Sequence, residues 1–132
     1  MPKFGSTSLE RLQECDPTLQ LILRWAVRYY DFTIVVGHRG EADQNAAFAA
    51  GNSKLQWPDG KHNSLPSKAV DIAPYPIDWE DTERFVFLAG VIMTIAHLLG
   101  VGDKIRWGGD WDRDGRMTDE RFRDYGHFEV IE

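Results

Sequence analysis

Asp124, His127, His62 and Asp71 are the residues of this chain whose types could do catalytic chemistry together. The C-terminal run Asp124-Tyr125-Gly126-His127-Phe128-Glu129-Val130-Ile131-Glu132 alternates like a strand from His127 onward. His127 and Glu129 then share one face, and Phe128 and Val130 the other. Asp124 precedes them, ahead of the flexible Gly126. Far upstream stand His62 and then Asp71, inside Ala69-Val70-Asp71-Ile72-Ala73. Two histidines and one carboxylate make a three-ligand set with room for a water, the layout of a catalytic rather than a structural zinc. Asp124 becomes a spare carboxylate near the metal, suited to act as a general base. Spacing alone is weak evidence for this, and more simply fits His62 as a loop histidine and His127 as a hydrogen-bonded, half-buried one.

Two further groups carry charge that chemistry could use. Arg39 follows the β-branched run that ends at Gly37. It is a candidate to bind a substrate carboxylate or to stabilise an oxyanion; the plainer role of such an arginine is a surface ion pair. Between Trp107 and Asp124 lies an acidic segment in which Asp110, Asp112 and Asp114 alternate and Gly115 follows. That is the opening of a calcium loop of the EF-hand kind. The glutamate expected at position 12 is replaced by Arg121, and Asp119 and Glu120 arrive early enough to complete a shortened site. The expectation is that calcium orders the loop; the alternative is a solvated acidic turn. His38, His97 and Cys15 read as structural, and nothing supports a serine or cysteine nucleophile.

These residues need a scaffold, and the composition provides for one. A chain of 132 residues, 42% hydrophobic and 27% charged, can bury a core as one globular unit. Its net charge of −6 argues against a nucleic-acid partner. A single cysteine excludes an internal disulfide or a cysteine-rich zinc site. Helices are expected from Ser6 or Thr7 to about Glu14, and from Pro17 to Tyr30 behind the cap Asp16. A third runs from Glu41 to Ala50 before Gly51, and a fourth from Trp79 to Leu99 behind the cap Asp78. Apolar residues surround much of the fourth, which should make it the central buried helix. Strands are expected at Phe32–Val36, Ala69–Ala73, Ile105–Trp107 and from His127, with a long loop over 52–67. The fold class is therefore α+β, helices packed on one small, largely antiparallel sheet in a single compact domain. The longest apolar stretch, Phe85 to Val101, is too short and interrupted to insert in a membrane. The N-terminus has no secretory pattern, so the chain is expected in the cytoplasm.

Ordered motifs along nearly the whole chain resemble the zinc peptidases related to bacterial D-Ala-D-Ala carboxypeptidases and dipeptidases, the VanY and VanX type. They are most similar to phage endolysins that act as L-alanyl-D-glutamate endopeptidases. Phe32-Thr33-Ile34-Val35 with Gly37, Arg39 and Gln44 resembles the family's strand, arginine and following helix. Ser67-Lys68-Ala69-Val70-Asp71-Ile72-Ala73-Pro74 resembles its zinc-aspartate strand, and Ile77-Asp78-Trp79 the start of its long helix. Arg106-Trp107-Gly108-Gly109-Asp110-Trp111 and Asp124-Tyr125-Gly126-His127 complete the set.

The resemblance implies one zinc peptidase domain over residues 1–132, with His62, Asp71 and His127 as ligands. It implies Asp124 as base, Arg39 as partner of the scissile carbonyl oxygen and Gln44 as a candidate substrate contact. The substrate implied is the stem peptide of bacterial peptidoglycan, cut between L-Ala and D-Glu by a monomer made in the host bacterial cytoplasm and let out by another agent. Lys61, Lys68 and Arg106 are candidate partners for substrate carboxylates. Carboxypeptidases of the VanX or VanY type carry Glu where Asp124 stands, which favours the endopeptidase branch. Two alternatives remain, a D-Ala-D-Ala carboxypeptidase and a non-catalytic zinc module like the hedgehog signalling domains. One departure concerns the pattern Ser-x-His-x-x-Gly-x-Ala-x-Asp. Here Gly60 stands for the Ser, Ser67 for the Gly, and the step from His62 to Asp71 is longer, a change a loop absorbs cheaply.

Overall fold

The computed structural model describes residues 2–120 and 123–131. Its elements are α1 (Ser6–Leu12), α2 (Pro17–Ala26), β1 (Phe32–Val36), α3 (Glu41–Ala49), β2 (Ala69–Pro74), α4 (Thr82–Leu98), β3 (Ile105–Trp107) and β4 (His127–Val130). The strands form one sheet in the order β1-β2-β4-β3, and each neighbouring pair is antiparallel. The architecture is α+β, as expected. The chain's last described strand is inserted between β2 and β3, so β4 is paired on both edges.

Alternation decides what each face of the sheet does. Phe128 and Val130 of β4, Val70 and Ile72 of β2 and Ile34 of β1 bury on one face. Leu12 of α1, Leu19, Ile22 and Leu23 of α2, and Leu88 and Ile92 of α4 cover them there. Asp71, His127 and Glu129 alternate to the opposite face, toward an open cleft.

Helix boundaries differ from expectation for local reasons. Gly5, not Ser6 or Thr7, precedes α1 and gives no side-chain cap. Ser8 instead accepts a hydrogen bond at 3.1 Å from the backbone N–H of Ile34, tying α1 to β1. Asp16 caps α2 as expected, accepting from Thr18 N–H at 2.8 Å. The helix stops at Ala26 rather than Tyr30, because Arg28 and Tyr29 bond back only three residues, to Trp25 and Ala26. Asp81 rather than Asp78 caps α4, accepting from Arg84 N–H; Asp78 folds onto Glu80 N–H at 3.0 Å. Nor is α4 wholly buried. Phe85, Leu88, Ala89, Ile92 and Ala96 face the core, whereas Phe87 and Leu98 are exposed. The long loop over 52–67 is irregular except for a 3-10 turn at Lys61–Asn63. Among the described residues, no helix is long and apolar enough to cross a membrane.

Cys15 packs in the core at 1% exposure. Burial, helped by the charges of Glu14 and Asp16, pushes its thiol up to about 12 from an ordinary 9.0. The unfolded chain therefore loses this proton at a pH where the folded chain keeps it, and stability falls as pH rises from 9 toward 12. In urea unfolding across that window, Cys15→Ala is expected to weaken the alkaline loss of stability relative to wild type. Equal pH slopes for the two proteins would contradict the assignment.

Candidate active site

The centre of the site is a cross-strand pair. In the β2–β4 register Asp71 lies directly opposite His127, and His127 Nδ1 is 3.0 Å from Asp71 Oδ1. His62 reaches the same oxygen from the 3-10 turn, its Nε2 at 3.3 Å. One ligand atom from each of the three lies within 4.8 Å of the others. The set is two imidazoles and a carboxylate, the donors zinc takes in catalytic sites.

Each imidazole is turned by a partner on its far nitrogen. His62 Nδ1 donates to the carbonyl of Gly37 at 2.8 Å, and His127 Nε2 donates to Glu129 Oε1 at 2.8 Å. A carbonyl or carboxylate can only accept, so each far nitrogen carries a proton; the near nitrogens donate to Asp71, and a metal taking the place of those protons would leave them as ligands. The electrostatics agree with a site built for a cation. Burial would raise the Asp71 carboxyl, yet hydrogen bonds from His127 and His62 hold it well below the usual range. Burial alone would lower His127; the flanking carboxylates of Asp71 and Glu129 instead push it up to about 9. The donor set therefore fits a divalent metal, which would supply the positive charge these carboxylates require.

The turn carrying His62 is strapped from several sides. Arg39 N–H donates to the carbonyl of His62 at 2.9 Å, and Lys68 N–H to that of Lys61 at 3.0 Å. Gly60 N–H donates to Asn63 Oδ1 at 2.8 Å. A Cβ on Gly60 would press on Asn63 Oδ1 and the Gln44 side chain, so glycine lets the turn approach α3.

Arg39 crosses the cleft toward Asp71, Nη2 to Oδ2 at 3.5 Å. Its Nη1 donates to Gln44 Oε1 at 3.2 Å, and Asn63 Nδ2 donates to that oxygen at 3.0 Å. Gln44 Nε2 donates to the carbonyl of Leu55 at 2.6 Å. Gln44 is thus a buried clamp joining α3, the 52–67 loop and Arg39.

Asp124 lines the same cleft, of about 640 Å³, with His62, Asp71, His127 and Arg39. Burial and the nearby charge of Asp71 raise its carboxyl above the ordinary value, against the pull of His127, His62 and Arg39. Its backbone is pinned, since Asp124 N–H donates to Gly108 O and Gly108 N–H donates to His127 O, both at 2.8 Å. Any Cβ at Gly108 would strike the carbonyl of Asp124, and one at Gly126 that of Ile72.

Of the expected substrate-carboxylate partners, Lys61 and Arg106 line the cleft. Lys68 turns away to pair with Asp16 at 2.9 Å. In the acidic loop, oxygens of Asp110, Asp112 and Asp114 converge, as do those of Asp112, Asp119 and Glu120. Arg121 lies outside the described residues. Sequence reasoning gave no role to Asn63 or Glu129. For Glu129 a signal existed, the two-residue spacing that puts it on the face of His127; for Asn63 there was none.

A His–Asp–His cluster at the floor of a cleft, with a carboxyl and a guanidinium in its walls, is a layout of metal-dependent amide hydrolases. The chain belongs to the phage L-alanyl-D-glutamate peptidase family, whose model matches residues 1–131. It is 37% identical to the L-alanyl-D-glutamate peptidase of Escherichia phage T5 over 98% of both chains. Its fold matches the L-Ala D-Glu endopeptidase ChiX of Serratia marcescens with a TM-score of 0.75 and 27% identity, over 97% of this chain and 89% of that one.

Replacing Gln44 by Ala should remove one partner each from Asn63 Nδ2, which keeps Arg39 O, and from the Leu55 carbonyl, which keeps Ser53 Oγ, costing about 1 kcal/mol of stability per lost bond. The expected kinetic signature is a loss of kcat/KM of up to about 10²-fold through misplacement of Arg39, with metal content unchanged. Denaturant unfolding, metal analysis and steady-state kinetics on one preparation check this; wild-type kinetics would contradict it.

Proposed function

We propose that the protein hydrolyses the amide bond between L-Ala and D-Glu in the stem peptide of bacterial peptidoglycan, with zinc held by His62, Asp71 and His127. The observation that supports this most is the convergence of those three side chains beside Asp124 and Arg39. Family membership and the activities named for the phage T5 and Serratia relatives supply the bond. Zinc, when bound, supplies Lewis acidity that lets a nearby water ionise close to neutral pH.

The chain's own residues do the rest. Asp124 accepts a proton from the water that attacks the L-Ala carbonyl carbon, a role suited to a carboxyl whose proton affinity is raised. Arg39 donates to the carbonyl oxygen as negative charge develops there. When the C–N bond breaks, Asp124 returns the proton to the departing amine of D-Glu, so the site ends as it began. Gln44, expected to touch substrate, serves in this scheme to hold Arg39.

Mass spectrometry of digested peptidoglycan should show new C-terminal L-Ala and new N-terminal D-Glu. Release of D-Ala alone would mean a carboxypeptidase. In the same assay Asp124→Ala should abolish hydrolysis while keeping zinc, whereas His127→Ala should lose zinc. Arg39→Ala should lower kcat by on the order of 10²-fold.

The acidic loop is proposed to take calcium. Its carboxylates crowd one another, and the side-chain hydrogen bond with Asp114 pushes Asp119 up to about 6. Asp119 and Glu120 also line the cleft, so a cation that orders the loop would reach the site. Calorimetry on zinc-loaded protein should detect calcium binding, and activity should rise with it. No heat at millimolar calcium would remove this part of the proposal.

A further inference from the structure

Glu129 stands where strand geometry lets one carboxylate serve two neighbours. Two residues beyond His127 on β4, it shares that residue's face, and its Oε1 accepts from His127 Nε2 at 2.8 Å. On the adjoining strand Arg106 is its direct register partner. Arg106 donates from Nη2 to Glu129 Oε2 at 2.7 Å. Both oxygens are therefore committed, and Glu129 is buried at 4% exposure. The Arg106 guanidinium in turn lies over the Trp111 ring, 5.8 Å from its centroid.

We propose that Glu129, locked by Arg106, is the positioning residue that fixes His127 for zinc. It holds the proton on Nε2 and so presents Nδ1, beside Asp71, as the ligand. The inference rests on the zinc site proposed above and assigns a residue outside it. The two histidines differ in how they are held. His62 is oriented by a backbone carbonyl, Gly37, which no substitution removes. His127 is oriented by a side chain, so its hold on the metal can be loosened without touching a ligand.

The test is zinc affinity of the full chain, measured by competition with a chromophoric chelator. Glu129→Ala should bind zinc about 100-fold more weakly than wild type and Glu129→Gln about 10-fold, the range for removing such a partner of a ligand. Arg106→Met, which frees the carboxylate without removing it, should weaken binding less than Glu129→Ala. In zinc-loaded wild type the His127 Nε2 proton should give a slowly exchanging downfield resonance, lost in Glu129→Ala. Should Glu129→Ala fail to fold, the near-isosteric Glu129→Gln decides. Wild-type zinc affinity and a retained His127 resonance in Glu129→Gln would overturn the inference while leaving the zinc site standing. A wild-type chain that binds no zinc would overturn both.

Discussion

The pairing of β2 with β4 in one register is the constraint on which the remainder of the site depends. It places Asp71 opposite His127. A slip by one residue would send both His127 and Glu129 to the core face and bring Phe128 out to the cleft. That slip is opposed from below, because Phe128 is 1% exposed among Val70, Ile72 and the helices. The apolar side of a four-residue strand thus enforces the alignment of its polar side. The functional geometry is in this sense a by-product of core packing.

Charge organisation follows from the same alignment. Asp71 gathers His62, His127 and Arg39 around its two oxygens, and Glu129 gathers His127 and Arg106. Each buried carboxylate has more than one cationic or N–H partner, which is the condition for burying it at all. Asp124 is the exception. It sits near Asp71 with no comparable set of donors among the described residues, and its carboxyl is raised rather than lowered. The cleft therefore holds carboxylates committed to imidazole and guanidinium partners beside one whose proton affinity is raised.

The fold class and the strands were legible because each rests on a local pattern, whereas the clustered residues were singled out by the resemblance of ordered motifs. β-branched runs mark β1 and β2, alternation marks β4, and Gly51 marks the end of α3 with φ +80. Helix boundaries at Tyr30 and Asp78 were misplaced because competing local turns decide them. Arg28 and Tyr29 close short turns, and Asp81 outcompetes Asp78 as cap. The apolar circumference of α4 likewise suggested complete burial, although only one face of the helix finds a partner. The supporting roles of Gln44 and Asn63 were hidden for another reason. Each depends on residues of other elements, such as Gln44 Oε1 meeting both Arg39 and Asn63. No periodicity within a segment records such a meeting.

The longer step from His62 to Asp71 shows how the two kinds of information divide. If sequence distance placed the first histidine, the longer connection would have carried it away from Asp71. His62 is placed instead by Gly37 and Arg39, at the end of β1, through its ring and its own carbonyl. The chain resumes at Ser67, which is wholly buried and whose N–H donates to Glu14 O at 2.7 Å. Between these two anchors Ser64, Leu65 and Pro66 stand exposed, Leu65 at 68%. The additional length is thus shed to solvent, where loop closure costs little. What the site requires is an anchor on either side of the loop, and with both in place the number of residues between them is free to vary.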